Sequence, residues 1–551
     1  MSAPVAPSPV PAVASPLGFR GVFRSDAEAC AVYSESAGVG RIIPRAVAVP
    51  ADAADVVTLV KWAAQERIPL TPRGSGSSMA NGAIGAGVIV DLSELNEMGR
   101  VEVGTRTLRV GPAVTRDAVE AAAAAVRLTF PVDPSSGAFA TIGGMCATNA
   151  AGASTVRHGA MRRWVTGLDC VFADGSRAFV RRGQRASGVG AVERFLRDAA
   201  PGIKRAGAAA FRLPNVRKQS SGYGLAEWCE GEDLVDLLVG SEGTLAIIVG
   251  VELKLTPRAG GRAGLLAGFP DLEGAAAAAG RLTAAGASAV ELLDRSFIEI
   301  ATSSGDPLPI ALPYGLEAVL IIEVEDISEG AAGDRLRELS GWCEAGGALF
   351  IQEARDEAMS HRIWRLRHAA SPILNRLAPR LQSMQLVEDG CVPPARFAEY
   401  VRGVRRALRG ARFQGVIFGH AGDGHAHVNA LIDVKDPDWR ARAELLVRDV
   451  TNLVASLGGT LAGEHGDGRL RAPLMDRIWS PSALQGFAAT KQAFDPDGIL
   501  NPGVIIAAAG SRPLEDVKYD PALPHLPPAA RAALDKIVRD KAWNTPRLSL
   551  L

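Results

Sequence analysis

The sequence predicts an α+β protein of more than one domain, and three observations support this fold class. The chain has 551 residues, enough for roughly two to four domains with a large core. A strand–helix–strand pattern begins at Ala46 and ends near Leu92. Between Val416 and Ile432, the sequence VIFGHAGDGHAHVNALI predicts two antiparallel strands joined by a tight turn.

Bulk composition excludes several classes of protein. Basic and acidic residues number 60 each, so no net field favours nucleic acid. The six cysteines include no C-x-x-C pair, which argues against an iron–sulfur cluster, a zinc ribbon or a disulfide framework and fits a cytoplasmic protein. No run of about 18 apolar residues predicts a membrane span, although a peripheral contact is left open. The proline-rich start, MSAPVAPSPVPAVASP, predicts a disordered arm.

The first predicted elements surround a glycine–serine loop. Ala46–Pro50 is a predicted strand, and Asp52 is placed to cap a helix that continues to about Glu66. Residues 68–72 form a second strand that enters the loop Arg73–Ser78. Bare backbone N–H groups and hydroxyls in such a loop suit a pyrophosphate, although glycine–serine turns without a ligand are commoner.

Two further segments have the same character. After an alanine-rich helix at Thr115–Val126, small residues dominate the segment Pro131–Gly152, where a flat ligand can lie against the backbone. A third glycine turn, Gly240–Ile247, runs into an apolar strand. The alternative for both segments is plain packing of small residues.

The predicted hairpin concentrates histidine. Only eight histidines occur in the chain, and three lie within the eight positions from His420 to His427. We expect Gly422 and Gly424 to supply positive φ in the turn. A four-residue turn makes His420 and His427 diagonal cross-strand neighbours, within reach of one metal ion. The alternative is a hairpin with partly solvated polar histidines.

A later motif, GEHGDGRLR at Gly463–Arg471, adds a carboxylate to this set. Neighbouring side chains diverge in an extended loop. Glu464 can therefore complete a site with two histidines while His465 faces another group. Two histidine nitrogens and a carboxylate, with one position left open, are typical of a catalytic zinc site.

These motifs together resemble the FAD-linked oxidoreductases related to vanillyl-alcohol oxidase and p-cresol methylhydroxylase (PCMH). Three segments resemble their flavin-contacting loops: Pro72–Ser78, Pro131–Gly152 and Gly240–Ile247. Three later segments resemble the C-terminal half of the D-2-hydroxyacid dehydrogenase branch: GHAGDGHAH at Gly419–His427, GEHGDGRLR at Gly463–Arg471 and FDPDGILNPG at Phe494–Gly503. That branch includes the D-lactate dehydrogenases, the glycolate oxidase flavin subunit and D-2-hydroxyglutarate dehydrogenase.

The resemblance implies a domain organisation. A two-lobed PCMH-type FAD-binding domain is expected at residues 40–257, and an α+β substrate or cap domain with an antiparallel sheet at residues 258–480. Residues 481–510 would return to the flavin. Residues 1–39 would be the disordered arm and lead-in, and residues 511–551 a surface tail with one helix near Ala529–Lys541.

The resemblance also implies which residues bind FAD. They are Pro72, Arg73, Gly74, Ser75, Gly76, Ser77, Ser78, Pro131, Asp133, Thr141, Gly143, Gly144, Asn149, Gly152, Glu242, Gly243, Ile247 and Asn501. Members of the family with covalent flavin carry a histidine in the first loop. Arg73–Ser78 contains none, so non-covalent FAD is expected.

The expected chemistry uses the histidine motifs. By analogy with the family, His420, His427 and Glu464 bind a divalent metal, with zinc as the expected ion. The metal would polarise the substrate hydroxyl and lower its pKa. Water shows how large such an effect can be, because its pKa falls from about 15.7 to about 7 when it binds a metal ion. His465 is the expected base, since a neutral histidine near pH 7 suits that role.

Two other residues are assigned to the substrate. Asn429 follows His427 on the same strand face and would donate a hydrogen bond to the substrate. Arg367, the arginine of the family's W-x-x-R pattern on a predicted helix, would pair with the substrate carboxylate. Two departures from the family pattern are His425, where asparagine is usual, and Val387, where several relatives have lysine.

The implied reaction oxidises a D-2-hydroxy acid of the D-lactate, glycolate or D-2-hydroxyglutarate class to the 2-oxo acid, with hydride transfer to flavin N5. Electrons would pass to a separate acceptor such as a quinone, an electron-transfer flavoprotein or a cytochrome, and a homodimer is expected. Two alternatives stay open: a flavin transferase similar to alkyl-glycerone-phosphate synthase, and a flavin subunit of a larger complex. Glu464 favours the dehydrogenase, because the synthases tend to show a histidine run there.

Overall fold

The computed structural model describes residues 13–184, 186–303, 308–354, 356–368 and 380–551. Within these ranges the strands form four sheets. The architecture is α+β, with mixed and antiparallel sheets, and the predicted fold class is confirmed. No helix in the described ranges combines the length and apolar composition needed to cross a bilayer.

The first lobe is a four-stranded sheet in the order β1-β2-β4-β3. Its strands are β1 (Val22–Arg24), β2 (Ala46–Val49), β3 (Leu70–Arg73) and β4 (Val88–Asp91), and its helices are Ala27–Val32 and Ala53–Glu66. β2, β3 and β4 are parallel, whereas β1 runs antiparallel to β2. Asp52 caps the second helix as predicted, because its side chain accepts hydrogen bonds from the amides of Ala54 and Asp55.

The second lobe is an antiparallel sheet in the order β5-β9-β7-β8, with a two-stranded ribbon of β6 and β10. The strands are β5 (Thr107–Val110), β6 (Leu128–Thr129), β7 (Val165–Val171), β8 (Arg177–Arg181), β9 (Ile247–Lys254) and β10 (Thr256–Pro257). The helices are Arg116–Ala124, Ile142–Thr148, Thr155–His158, Gly190–Arg194, Ala200–Ala206, Leu225–Gly231 and Leu234–Leu238, with a π-helical turn at Phe195–Ala199. These elements enclose an apolar core that includes Trp228 and Phe195, whose rings make an edge-to-face contact with centroids 4.9 Å apart.

The third region contains an antiparallel sheet in the order β14-β11-β13-β12-β17-β18-β15, with β16 paired to β18. Its strands are β11 (Gly261–Phe269), β12 (Ala289–Asp294), β13 (Ala318–Asp326), β14 (Phe350–Ala354), β15 (Leu381–Met384), β16 (Gly390–Cys391), β17 (Gln414–Gly419) and β18 (His425–Asp433). We call this region the cap.

Helices cover the cap sheet unequally. One face packs against Leu272–Ala284, Glu329–Ala345, Phe397–Gly410 and Trp439–Ser456. The other face packs against Arg295–Ser303 and Glu357–His368 over only part of its length. Polar side chains of β12, β17 and β18, which include Glu291 and His427, lie on this second face, where the candidate site is built.

The predicted hairpin is confirmed, with Phe418 opposite His427 in register. One detail of the turn is wrong: Gly424 has a φ of 75°, but Gly422 does not adopt positive φ. The reason is that Ala421–Asp423 form a 3₁₀ turn. Gly422 is required for packing instead, since a Cβ there would lie 2.7 Å from the Thr283 hydroxyl.

The two chain ends differ from expectation. Residues 1–12 of the predicted arm lie outside the described ranges, but residues 22–24 of the expected lead-in are β1 and pair with β2. The expected surface tail is integrated into the fold: the helix Pro528–Asp540 packs on the helix Ala27–Val32. Ala530, Leu534 and Ile537 are spaced to form one apolar stripe, and burying it stabilises this contact.

After the cap, the chain forms the short helices Gly468–Arg471 and Met475–Ile478 and the longer helix Pro481–Phe494. The longer helix packs into the core of the second lobe through Phe487 and Phe494. The domain boundaries expected at residues 257, 480 and 510 stay predictions.

Candidate active site

Three glycine-rich loops enclose a cleft beside the cap. Its empty volume, including the open mouth, is about 1200 Å³. The loops contact one another so closely that two glycines are required. A Cβ on Gly74 would lie 2.2 Å from Thr141 Oγ1, and a Cβ on Gly243 would lie 2.3 Å from Pro72 Cγ. The cleft is therefore bordered by backbone and small side chains.

Twelve of the residues predicted to bind the cofactor line this cleft. They are Pro72, Arg73, Gly74, Ser75, Gly76, Ser77, Ser78, Thr141, Gly143, Gly144, Glu242 and Gly243. The other six are not among its lining residues: Pro131, Asp133, Asn149, Gly152, Ile247 and Asn501. Glu464 and His465 also line the cleft, which joins it to the histidine motifs.

Several residues of this predicted set support the loops. The Asn501 amide donates to the carbonyls of Gly82 and Glu242, which ties the first loop to the third. Asp133 accepts hydrogen bonds from the amide and hydroxyl of Ser154. The Arg73 guanidinium is buried and donates to the carbonyls of Tyr33, Ala83 and Glu35.

His420, His427 and Glu464 converge as predicted. The Nε2 atoms of the two histidines are 3.4 Å apart. Glu464 Oε1 lies 3.5 Å from Nε2 of His420 and 3.3 Å from Nε2 of His427. In a tetrahedral zinc site with metal–ligand bonds of 2.0–2.1 Å, ligand atoms are about 3.4 Å apart. The three donor atoms therefore fit one tetrahedral ion, and each side chain is at most 11% exposed.

Hydrogen bonds orient both imidazoles for this role. His420 Nδ1 donates to the Glu291 carboxylate, and His427 Nδ1 donates to the Glu388 carbonyl oxygen at 3.1 Å. Metal-ligating histidines normally donate their second ring N–H in this way, which leaves Nε2 free for the ion. Burial lowers the pKa of His420, but the nearby Glu291 outweighs it and the pKa rises to about 9.

His465 faces a different group, as expected. Its Nδ1 lies 2.9 Å from Glu388 Oε2, and its Nε2 lies 3.5 Å from Glu464 Oε1. The pKa of His465 differs from the expectation of a neutral ring. Burial lowers it, but Glu388 and Asp389 outweigh burial and raise the pKa to about 10.

Arg367 reaches the site indirectly. Its Nε donates to Glu291 Oε2 at 2.8 Å, and its guanidinium lies over the Phe418 ring at 4.5 Å. Since Glu291 also bonds His420, one buried carboxylate holds both the arginine and a metal-ligand candidate. Asn429 is 7% exposed and follows His427 on β18, so both side chains lie on one face.

The two departures from the family pattern have different surroundings. His425 is fully buried and lies beside His420, with ring centroids 5.2 Å apart. Its Nε2 lies 2.9 Å from Asp389 Oδ1, and burial lowers its pKa to about 3, so the ring is neutral. Val387 belongs to the apolar core of the cap and adds no charge.

Several charged groups of the site escaped sequence reasoning. Glu291, Glu388, Asp389 and Arg471 are buried, and Arg471 pairs with both carboxylates of the Glu388–Asp389 turn. The signal for the acids was present, because each stands in an otherwise apolar run, AVELLD or LVEDGCV. Lys218, whose Nζ lies 3.0 Å from Glu464 Oε2, carries no such signal in VRKQSSGYG.

Two family models match the chain. Residues 44–179 match the family described as "FAD binding domain", and residues 261–505 match "FAD linked oxidases, C-terminal domain". The chain belongs to the FAD-linked oxidases. It is an FAD-dependent oxidoreductase, and the resemblance seen in the sequence is confirmed.

Two relatives of the chain are named for glycolate or D-lactate. "Glycolate oxidase subunit GlcD" of Bacillus subtilis is 28% identical over 469 residues, covering 84% of this chain and 89% of the relative. "D-lactate dehydrogenase" of Archaeoglobus fulgidus is 27% identical over 479 residues, covering 84% and 93%.

Solved structures share the fold of the FAD-linked oxidase at lower identity. A 4-ethylphenol oxidase from Gulosibacter chungangensis aligns with a TM-score of 0.65 at 15% identity, covering 88% of this chain and 94% of that one. An alkyldihydroxyacetonephosphate synthase aligns with a TM-score of 0.59 at 14% identity, covering 87% and 82%.

Proposed function

We propose that this FAD-linked oxidase oxidises a D-2-hydroxy acid to the 2-oxo acid with the help of a divalent metal. The observation that carries the proposal is the triangle of His420, His427 and Glu464, in which Glu464 also lines the cleft between the flavin loops. The relatives named for glycolate and D-lactate support this substrate class.

The glycine loops fit FAD. A long, flat ligand can approach the backbone of Gly74–Ser78, which lines the cleft. The amides of Gly143 and Gly144 donate to the Pro112 carbonyl and to Thr141 Oγ1, so these two glycines offer a surface rather than free donors. We infer that Asn501 and Asp133 act by holding these loops rather than by touching the ligand. The first loop contains no histidine, which supports non-covalent binding.

When bound, FAD would supply the hydride acceptor, and a divalent ion held by His420, His427 and Glu464, which we propose to be zinc, would supply a Lewis acid for the substrate hydroxyl. Arg367 binds the substrate carboxylate from its position over Phe418. Asn429 adds a hydrogen bond from the neighbouring position on β18.

His465 takes the hydroxyl proton on Nε2. Its Nδ1 is held by Glu388 at 2.9 Å, which fixes the ring and leaves Nε2 toward Glu464. A divalent ion bound by Glu464 would lower the pKa of His465, which would leave Nε2 free to accept that proton. The substrate thus loses a hydride and a proton, and we propose that a separate acceptor, such as a quinone, an electron-transfer flavoprotein or a cytochrome, reoxidises the flavin.

An anaerobic titration tests the proposal. D-lactate, glycolate, D-2-hydroxyglutarate and longer D-hydroxy acids are added to the purified protein while the visible flavin absorbance is followed. We expect bleaching by a D-acid and not by its L-isomer. No bleaching by any acid in a protein that holds both FAD and metal would contradict the proposal, and reaction with an acylated glycerone phosphate would favour the transferase alternative.

A further inference from the structure

Lys218 is a fully buried lysine in the loop that precedes the helix Leu225–Gly231. Its side chain is 0% exposed. Its Nζ donates to Glu464 Oε2 at 3.0 Å and to the Gly152 carbonyl at 3.1 Å, and it lies 3.6 Å from Asp423 Oδ2. The ammonium therefore joins a flavin loop, the hairpin turn and the loop that carries Glu464.

The two oxygens of Glu464 have separate partners. Oε2 accepts the hydrogen bond from Lys218, whereas Oε1 faces the Nε2 atoms of His420 and His427. A free carboxylate rotates about its last torsion, so one oxygen must be held for the other to stay in the triangle. Lys218 holds it from the side opposite the histidines.

We propose that Lys218 is a positioning residue for the metal site: its hydrogen bond to Glu464 Oε2 fixes Glu464 Oε1 as a ligand. This inference rests on the proposed metal-assisted function. It adds that Lys218, which lies within the expected FAD-binding domain at residues 40–257, determines the geometry of a site beside the cap.

The charge of Lys218 does not argue against this role, because Asp423 balances it. An ammonium repels a metal ion, but the carboxylate of Asp423, which is also buried, lies 3.6 Å from Nζ of Lys218. Lys218 and Asp423 together add no net charge to the surroundings of the site. Removing both leaves the net charge unchanged and isolates the hydrogen bond to Glu464.

The test compares K218M and the double variant K218M/D423N with the wild-type protein, all loaded with FAD. Zinc affinity is measured by competition with a chelator of known affinity, and FAD content by its visible absorbance. Loss of such an outer hydrogen-bond partner typically weakens metal binding about 10–100-fold, so we expect that loss in both variants, with FAD retained. D423N alone keeps the hydrogen bond but leaves the ammonium unbalanced, so its loss of zinc affinity measures the charge effect by itself, and we expect that loss to be smaller than the loss in K218M/D423N.

The double variant keeps the test decisive if K218M folds poorly, because it leaves no unpaired Asp423 carboxylate. Wild-type zinc affinity in K218M/D423N, or tighter binding in K218M, would overturn the inference, since the lysine would then act only as a charge. If the wild-type protein itself binds no zinc, the metal site of the proposed function fails and the inference fails with it. Flavin bleaching by a hydroxy acid, measured separately, tests the reaction itself.

Discussion

The glycine-rich cleft and the histidine cluster lie side by side, but they are built in opposite ways. The cleft is bordered by backbone, glycine and serine, and its shape depends on the small size of these residues, because a Cβ at the tight glycine positions would clash. The cluster depends on imidazoles and carboxylates from β12, β18 and the loops at 388–389 and 464–465. An added Cβ disrupts the first region, whereas an exchanged charge disrupts the second.

This difference makes the two regions separable. Arg471 and Glu388 of the cluster form a buried ion pair that does not involve the glycine loops, and Lys218, which bonds both Gly152 and Glu464, is a link between the two regions. The loops are held by hydrogen bonds such as those of Asn501. We therefore expect substitutions to remove one ligand and leave the other bound.

The largest effect is expected from His420→Ala. Loss of one ligand should remove the metal, and turnover should fall by a factor on the order of 10³, because a Lewis acid contributes several kcal/mol to the transition state. FAD content should not change. Steady-state rates with an artificial acceptor, together with metal and flavin content, measure this. The control is His525→Ala, because His525 is exposed and belongs to the C-terminal segment rather than to the cluster. Loss of FAD from the His420 variant would break the comparison.

Glu291→Gln should weaken zinc binding about 10–100-fold without affecting FAD, because Glu291 bonds the ring of His420 from behind. Arg367 loses its buried partner in the same variant, so the Michaelis constant for the hydroxy acid should rise. Glu325→Gln is the matched control, since this carboxylate pairs with His158 and Arg262 rather than with a metal-ligand candidate. Equal zinc affinity in the two variants would contradict the assigned role.

Gly243→Val should have the opposite pattern. Its φ of 71° strains a β-branched residue by about 1–3 kcal/mol, and its Cβ would lie 2.3 Å from Pro72. We expect about tenfold weaker FAD binding and unchanged zinc affinity, measured by flavin fluorescence and chelator competition. Gly188→Val has a similar φ of 73° in open space and controls for strain alone. Unaltered FAD affinity in the Gly243 variant would exclude the third loop from cofactor binding.

The smallest effect is expected from Arg547→Ala. Arg547 is 2% exposed and donates to the Ser75 carbonyl at 3.2 Å, so it steadies the first glycine loop from the C-terminal segment. We expect FAD binding to be a few-fold weaker. A hydrogen bond to a charged group contributes about 1.5–3 kcal/mol, and only part of its loss would affect the loop conformation that binds FAD. Exposed Arg539 supplies the control. A change in zinc affinity would show that the two regions are coupled.

Local patterns in the sequence predicted much of the fold. Asp52 begins the helix Ala53–Glu66, and the His420–His427 spacing gave the hairpin and the approach of two Nε2 atoms. Such features depend on neighbours within a few residues. The motif GEHGDGRLR also predicts that Glu464 completes the site with the two histidines, and the family resemblance implies the same ligand set.

The missed features depend on contacts across the chain. Lys218 meets Glu464 across 246 positions, and Glu291 meets His420 across 129, so no local period marks either pair. The sequence predicts a surface tail around the helix Pro528–Asp540 because the segment Asp516–Leu551 contains many prolines. Its partner, the helix Ala27–Val32, lies at the other end of the sequence.

Removal and return of the metal test the central claim most directly. The FAD-loaded protein is stripped with a chelator, and the rate of anaerobic flavin bleaching by the best D-hydroxy acid is measured before stripping, after stripping, and after zinc is restored. We predict that the stripped protein keeps its visible flavin spectrum, loses the fast bleaching, and regains it with about one zinc ion per chain. Equally fast bleaching without metal, or loss of FAD on stripping, would contradict the account.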